Sequence, residues 1–464
     1  MARDPSPAYP RATVPPASRE PDDVPSPRGL PLVGHLLDLR RDPLGLLLRA
    51  HRECGPIAAL RIGPMRVYTV FDPEAVRRVL VDNAANYVKG PLYAKAAPML
   101  GQGLLLSEGP LWRRQRRIAQ PRFSRARLAA AVPRLAAEAE RLAARWRRAA
   151  ADGRPIEVGA DMLGLSLTAI GGLVFGDRVD AEAAPIARVL PDVIRHIERT
   201  MSAPHPALER LPTAANRRFR ADIAAIDATI ARLVERGGLG DDLLSQLRGA
   251  RDDETGEAMD DRQLRDEIKT LLLAGYDTTG HAMTWTWHLL AEHPDVQRRL
   301  HAELDAVLGG RLPTEADLAR LPYAARVVQE ALRLYPPIWS FARASVAEDT
   351  LCGRRIPAGA VLTLNAYVTH RDPALWDRPD RFDPDRFDPA RDAARPRFAY
   401  FPFGGGSRIC IGQHFAGLEA LVALAVLAAR FVVTPAAVRT VEPIASLSLR
   451  PAHGIHLRLR ERAP

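Results

Sequence analysis

Apolar spacing organises the chain from about Leu30 onwards. PIAALRIGPMRVYTVFDP alternates like two short strands joined at Gly63-Pro64. PEAVRRVLVDN then reads as a short helix opened by Asp72-Pro73, where a proline in the first turn lacks only an N–H that has no helical partner. From Asn86 to Gly109 the chain is irregular and apolar, with Met99, Leu100, Leu104 and Leu105 in it. ARLAAAVPRLAAEAERLAARWRRAA places Leu128, Leu135 and Leu142 on one face of a helix, with arginines outside. Residues 156–247 read as several helices with polar breaks, and GARDDETGEAMDDRQ as a charged, solvated loop.

A helix of about thirty residues is predicted from Arg262 towards Glu292, about 45 Å long at 1.5 Å per residue. Its middle, AGYDTT (Ala274 to Thr279), contains a glycine and two threonines, which are weak helix formers. Thr278 can bond back to the carbonyl of Ala274, four residues earlier, opening a local groove. An aspartate at that depth, Asp277, is costly unless it has work to do. EDTLCGRRIPAGAVLTLNAYVTHRD reads as short strands, and LEALVALAVLAARFVV as a core helix, because Glu419 and Arg430 interrupt its apolar run. The fold class expected is mainly α with a small β region.

Composition narrows the picture. The hydrophobic share of 47% is ample for a core, and the net charge of +10 is carried mainly by arginine. No nucleic-acid motif accompanies that charge, so DNA binding ranks low. Three cysteines, Cys54, Cys352 and Cys410, form no disulfide framework and point to a reducing compartment. Residues 1–28, rich in proline and charge, read as a disordered leader with neither a signal-peptide core nor a membrane anchor, so a soluble cytoplasmic protein is expected.

The densest chemistry lies in FGGGSRICIG, Phe403 to Gly412. Cys410 comes out of a glycine loop just before the apolar helix, where unpaired N–H groups and the helix dipole favour a thiolate and lower a thiol pKa. Gly404, Gly405 and Gly406 let the backbone turn sharply and approach a flat ligand. Arg408 offers a fixed cation to a carboxylate of such a ligand. One soft ligand suits a metal whose other positions are filled by something else, such as haem iron. The plain alternative, a buried free cysteine in a glycine turn, does not account for the whole pattern.

The stretch resembles the cysteine signature of the cytochrome P-450 family, F-G-x-G-x-R-x-C-x-G, at Phe403, Gly404, Gly406, Arg408, Cys410 and Gly412. Three further motifs follow the family's order. Trp112 and Arg116 match W-x-x-x-R, whose members hydrogen-bond a haem propionate. Ala274 to Thr279 matches [AG]-G-x-[DE]-T-[TS], the acid–alcohol pair beside bound dioxygen. Glu330 and Arg333 match E-x-x-R, and Arg386 would complete an ion network with them; Asp385 stands where the family usually has glutamate.

The resemblance implies a cytochrome P-450 fold, one haem domain over residues 29–464, and heme b (iron protoporphyrin IX) as cofactor. Cys410 is then the metal ligand, Asp277 and Thr278 are the catalytic pair, and Trp112, Arg116, Arg343, Phe403, Arg408 and Cys410 hold the cofactor. It also implies a substrate pocket roofed by the Asn86–Gly109 loop and lined by Leu104, Leu105, Leu273, Ala274, Ile338, Trp339 and Phe341, with no evident cation. The activity expected is a monooxygenase inserting one oxygen atom from O2 into a small apolar substrate. No flavin or iron–sulfur domain fits in the chain, so a ferredoxin and its NAD(P)H-dependent reductase would supply electrons. Arg113, Arg114 and Arg117 offer an acidic donor a docking face, and a monomer is expected. The layout of RRDPLGLLLRAH, WRRQRRIAQPRF and TAANRRF also resembles bacterial sesquiterpene oxidisers. Fatty-acid or polyketide hydroxylases share the scaffold. A peroxide-driven enzyme or an isomerase would not need the Asp277-Thr278 pair, and a haem-binding sensor or carrier would turn over nothing.

Overall fold

The computed structural model describes residues 23–90, 93, 96–176, 184–201, 211–236, 242–437 and 440–462. Of the expected leader, residues 1–22 lie outside the described residues. Residues 23–28 pack against the fold: Val24 is buried and the Pro25 carbonyl accepts the Ala59 N–H at 2.8 Å. Asp23 meets Arg354 at 2.9 Å.

The helices that position the site are α1 (Gly109–Ala119), α2 (Val132–Ala151), α3 (Val158–Phe175), α4 (Asp261–Glu292), α5 (Pro322–Leu334) and α6 (Gln413–Ala428). The principal sheet has five strands: β1 (Ile57–Ile62), β2 (Met65–Val70), β3 (Tyr87–Val88), β4 (Phe341–Ser345) and β5 (Val361–Leu364). Its order is β1-β2-β5-β4-β3. The expected hairpin is present, with Ile57 opposite Val70 and Ile62 opposite Met65, while β5 joins β2 in parallel. A smaller sheet unites Ile156–Glu157, His456–Glu461 and Phe431–Pro435. Phe431–Pro435 is therefore a strand, although it continues the apolar run of α6.

α4 is the central beam, packed against α3, α5 and α6. Asp260 caps it, its carboxylate accepting the Gln263 N–H at 2.7 Å. The helix runs unbroken through AGYDTT. Gly275 and Gly280 lie where α3 comes closest: a Cβ on either would stand 2.7 Å from Ile170 Cγ1 or Leu163 Cδ2 respectively. Close approach to α3, rather than a helix break, is what the glycines serve. α3 itself is long and apolar enough to cross a membrane by composition, but most of it is buried inside the protein.

The leucine stripe at Leu128, Leu135 and Leu142 is buried as expected, but on two helices, Arg125–Ala129 and α2. Pro133 separates them, since its ring clashes with the carbonyl four residues back and it has no N–H to donate. Cys352 turns a hairpin at φ 51°, and burial pushes its thiol up to about 12. Both facts suit the inert role expected of it.

Candidate active site

The Phe403–Gly412 loop is shaped by its glycines and by the chain lying over it. Gly404 and Gly406 adopt φ 71° and 66°, the left-handed region that favours glycine. A Cβ on Gly406 would run into the Leu80 carbonyl, and one on Gly405 into the Phe398 ring. The Cys410 N–H closes the loop on the Phe403 carbonyl at 3.0 Å. Arg116, projecting from α1, donates to the Ile409 carbonyl at 2.9 Å. Cys410 stands exposed three residues ahead of α6.

Its thiol behaves differently from the sequence expectation. Although Cys410 is open on one side, the protein atoms crowded around its sulfur raise it above the ordinary cysteine value, while the Gly412 and Gln413 N–H groups and the Arg116 charge work the other way without prevailing. The helix-start field alone therefore does not hold Cys410 as a thiolate. A coordinated metal ion deprotonates a thiol outright, so these donors fit a ligand that brings its own positive charge.

The middle of α4 carries Thr278, whose hydroxyl donates to the Ala274 carbonyl at 2.6 Å, as its spacing predicts. Ala274 is exposed although the residues before it on α4 are buried, so a cleft opens at that turn. Asp277 is buried, with His281 Nε2 3.5 Å from its carboxylate. Phe341, at the start of β4, packs edge-on against Phe401, and its ring is the nearest neighbour of Gly404.

Beside the cysteine loop the chain gathers cations. The Arg408 guanidinium lies 4.2 Å over the Trp112 ring and donates to Ser107 O at 3.0 Å and to Glu108 at 2.7 Å. Arg343 is buried, and its one hydrogen bond among the described residues goes to the Ala342 carbonyl next to it, at 2.8 Å. Sequence reasoning missed Lys89. β3 and β4 pair with Val88 opposite Ala344, so the next position of β3 meets Arg343, some 250 residues away along the chain. Burial first, then Arg408 and Arg343, push the Lys89 ammonium well below its usual range, and Glu108 only partly offsets this. Burial, with Arg343 beside it, pushes Arg408 down to about 10. Three basic side chains gathered around one carboxylate suit a dianionic ligand, such as a porphyrin with two propionates.

Behind the loop, Glu330 and Arg333 on α5 are fully buried and joined by two bonds of 2.7 and 2.8 Å. Arg386 reaches Glu330 at 3.2 Å, completing the expected network. Arg333 also donates to the carbonyls of His370, Pro379 and Arg381 at 2.8, 2.6 and 3.1 Å. His370 carries the clamp to the cysteine loop: one ring nitrogen bonds the Arg333 carbonyl at 3.2 Å, the other accepts the Phe401 N–H at 3.0 Å. Asp385 faces outward and takes a two-pronged bond from Arg299 at 2.7 and 2.9 Å.

Three expectations fail. Trp339 turns away from the cleft, donating its indole N–H to Ser446 O at 2.9 Å and packing among Leu44, Leu47 and Tyr367. Leu105, like Ala274, is exposed, while Met99, Leu100 and Leu104 are buried. Arg114 and Arg117 are not a free face. Arg117 grips buried Asp252 at 2.7 and 2.8 Å, and Arg114 pairs with Glu257 and with Gln263. The acidic loop expected to be solvated thus neutralises two of the three docking arginines, leaving Arg113 exposed.

A lone thiol at a helix start, a cluster of basic groups suited to a dianion and an acid–alcohol turn on the central helix point to a haem-thiolate oxygenase. The chain belongs to the cytochrome P450 family, whose model matches residues 24–458. It is 42% identical over 447 residues to cyclooctatin synthase of Streptomyces melanosporofaciens, covering 95% of this chain and 96% of that one. It is 36% identical to cyclooctat-9-en-7-ol 5-monooxygenase of the same organism, covering 93% and 94%. Among solved structures it is similar to the cytochrome P450DA heme domain, with TM-score 0.87 and 31% identity over 95% of this chain and 98% of that one. The protein is a monooxygenase with heme b as cofactor. Members of the family act on small substrates with O2 and draw electrons from redox partners, typically a ferredoxin and its reductase.

Proposed function

We propose that this enzyme hydroxylates a cyclic terpenoid, R–H + O2 + NAD(P)H + H+ giving R–OH + H2O + NAD(P)+, with electrons relayed by a ferredoxin and its reductase. Heme supplies O2 binding and O–O cleavage when bound. In this reading Cys410 ligates the iron. Trp112, Arg116, Arg343, Phe403 and Arg408, joined by Lys89, hold the porphyrin and its propionates. Asp277 and Thr278 hold and pass protons on the α4 side of the cleft, a general-acid task. The haem domain spans residues 24–458 and acts as a cytoplasmic monomer.

The observation that carries the substrate class concerns charge. Lys269, the last cation of α4 before Ala274, lies on the helix face opposite Ala274 and Thr278 and is already bound by Asp227 at 2.8 Å and Asp266 at 3.2 Å. It is therefore not available to anchor the carboxylate of a fatty acid. An apolar ligand binds instead by burial, at roughly 25 cal/mol per Å². The Streptomyces relatives, which are terpene-related, support the same class. Titrating the ferric enzyme with a sesquiterpene hydrocarbon is expected to give a low-to-high spin shift. A shift with a medium-chain fatty acid alone would overturn the terpenoid reading.

Thr278→Ala is expected to leave haem binding intact while lowering product formed per NAD(P)H by about a hundredfold, the lower end of general-acid effects. Hydrogen peroxide should account for the missing equivalents. Unchanged coupling would assign the proton to another group.

A further inference from the structure

One and two turns ahead of Ala274, α4 carries polar groups that the proposed chemistry does not use. Glu267 is 2% exposed and Thr270 5%. Their Oε1 and Oγ1 atoms are buried and have no hydrogen-bond partner among the described residues. A buried polar atom left unpaired costs about 1–3 kcal/mol, so two on one helix face call for a reason. Residues i, i+3, i+7 and i+11 share a helix face, so Glu267 and Thr270 lie in line with Ala274 and Thr278. At 1.5 Å per residue Thr270 stands roughly 6 Å, and Glu267 roughly 10 Å, along the axis from Ala274.

The loop from Gly101 to Leu104 is strapped over this face. Glu267 Oε2 accepts the Leu104 N–H at 2.9 Å, and Asp266 accepts the Gln102 N–H at 2.9 Å. Where the loop crosses Thr270 it does so with Gly103, and a Cβ there would run into the threonine hydroxyl. Glycine thus lets the loop backbone lie directly against Thr270. Burial, with Asp266 adding to it, pushes Glu267 up to about 8, the Leu104 N–H opposing. The upward shift favours the neutral acid, which can donate from the oxygen that Leu104 does not engage. Beside it, Thr270 can donate or accept.

We propose that Glu267 Oε1 and Thr270 Oγ1 form a polar subsite for a hydroxyl or carbonyl oxygen that the terpenoid already bears, one to two helix turns along α4 from Ala274. A neutral oxygen accepts from the acid and exchanges a bond with the threonine, satisfying both orphan atoms. A carboxylate would instead meet the charge of Asp266. The substrate is then the product of an earlier oxygenation, or of a cyclisation ended by capture of water. This assignment rests on the terpenoid reading and deepens it.

The test titrates the haem-loaded enzyme with valencene, a bicyclic sesquiterpene, and with nootkatol, its 2-hydroxy derivative, following the spin shift. Wild type is expected to bind the alcohol about tenfold more tightly. Thr270→Val, close to threonine in shape, should bring the alcohol to the affinity of the hydrocarbon while leaving the hydrocarbon unchanged. Glu267→Gln, whose amide still accepts from Leu104 and can donate, should keep most of the preference. Equal affinities in wild type, or a preference that survives Thr270→Val, would overturn the subsite and leave the terpenoid class standing. A spin shift with neither compound, alongside one with a fatty acid, would overturn both.

Discussion

Cys410→Ala is expected to abolish the strongly red-shifted Soret band of the reduced carbonyl complex, together with all NAD(P)H-supported product. The mutant chain should nevertheless fold. Cys410 stands exposed ahead of α6, outside the hydrophobic clusters, and the bond that closes its loop runs from its backbone N–H to Phe403 O. Removing one sulfur there costs no more than an ordinary surface change, about 0.5 kcal/mol. Denaturant midpoints of the two haem-free chains should accordingly coincide. Loss of the band with an unchanged midpoint separates ligation from folding. A band that persists in the mutant would show that another residue ligates the iron.

Glu330→Ala is expected to have the largest effect on stability. Glu330 and Arg333 are both fully buried, and the same carboxylate holds Arg386 and the Asp383 N–H. Deleting it leaves two guanidinium charges in the interior, a loss on the order of 3–5 kcal/mol. Against a total stability of about 5–15 kcal/mol, that is enough to release haem at ordinary temperature. The damage should reach the cysteine loop, because Arg333 bonds His370 and His370 bonds Phe401. Asp385→Ala makes the control. Its pair with Arg299 is a partly exposed surface bridge, worth about 0–1 kcal/mol. Chemical unfolding with haem absorbance as a second probe would compare them. A Glu330→Ala loss below about 1 kcal/mol, the range of a surface bridge, would show that the carbonyls around Arg333 suffice to hold the clamp.

Some errors of the sequence reading were local. Leu128, Leu135 and Leu142 have the spacing of a single helix, and Pro133 still divides it. Others were matters of distance along the chain. Trp339 was expected at the cleft, yet Ser446 O, over a hundred residues away, accepts its N–H and draws it elsewhere. The charged loop looked solvated because nothing near it in sequence pairs with it, whereas Arg117 buries Asp252 from 135 residues away.

By itself the sequence determined the features whose partners lie within a helical turn or a tight hairpin. These are the β1–β2 pairing across Gly63-Pro64, the extent of α4, the bond from Thr278 to Ala274 O, and the Glu330–Arg333 pair. It also presented the lone cysteine ahead of α6, because ligand chemistry depends first on residue type. Only the tertiary structure decided which charges share an environment. The β3–β4 register set Lys89 beside Arg343, and the cysteine loop brought Arg408 to both. The approach of α3 gave Gly275 its purpose, and the Gly101–Leu104 strap left Glu267 and Thr270 with unpaired atoms. Burial is a sum over neighbours from distant parts of the chain, so neither the Cys410 thiol shift nor the Lys89 shift can be read from local pattern.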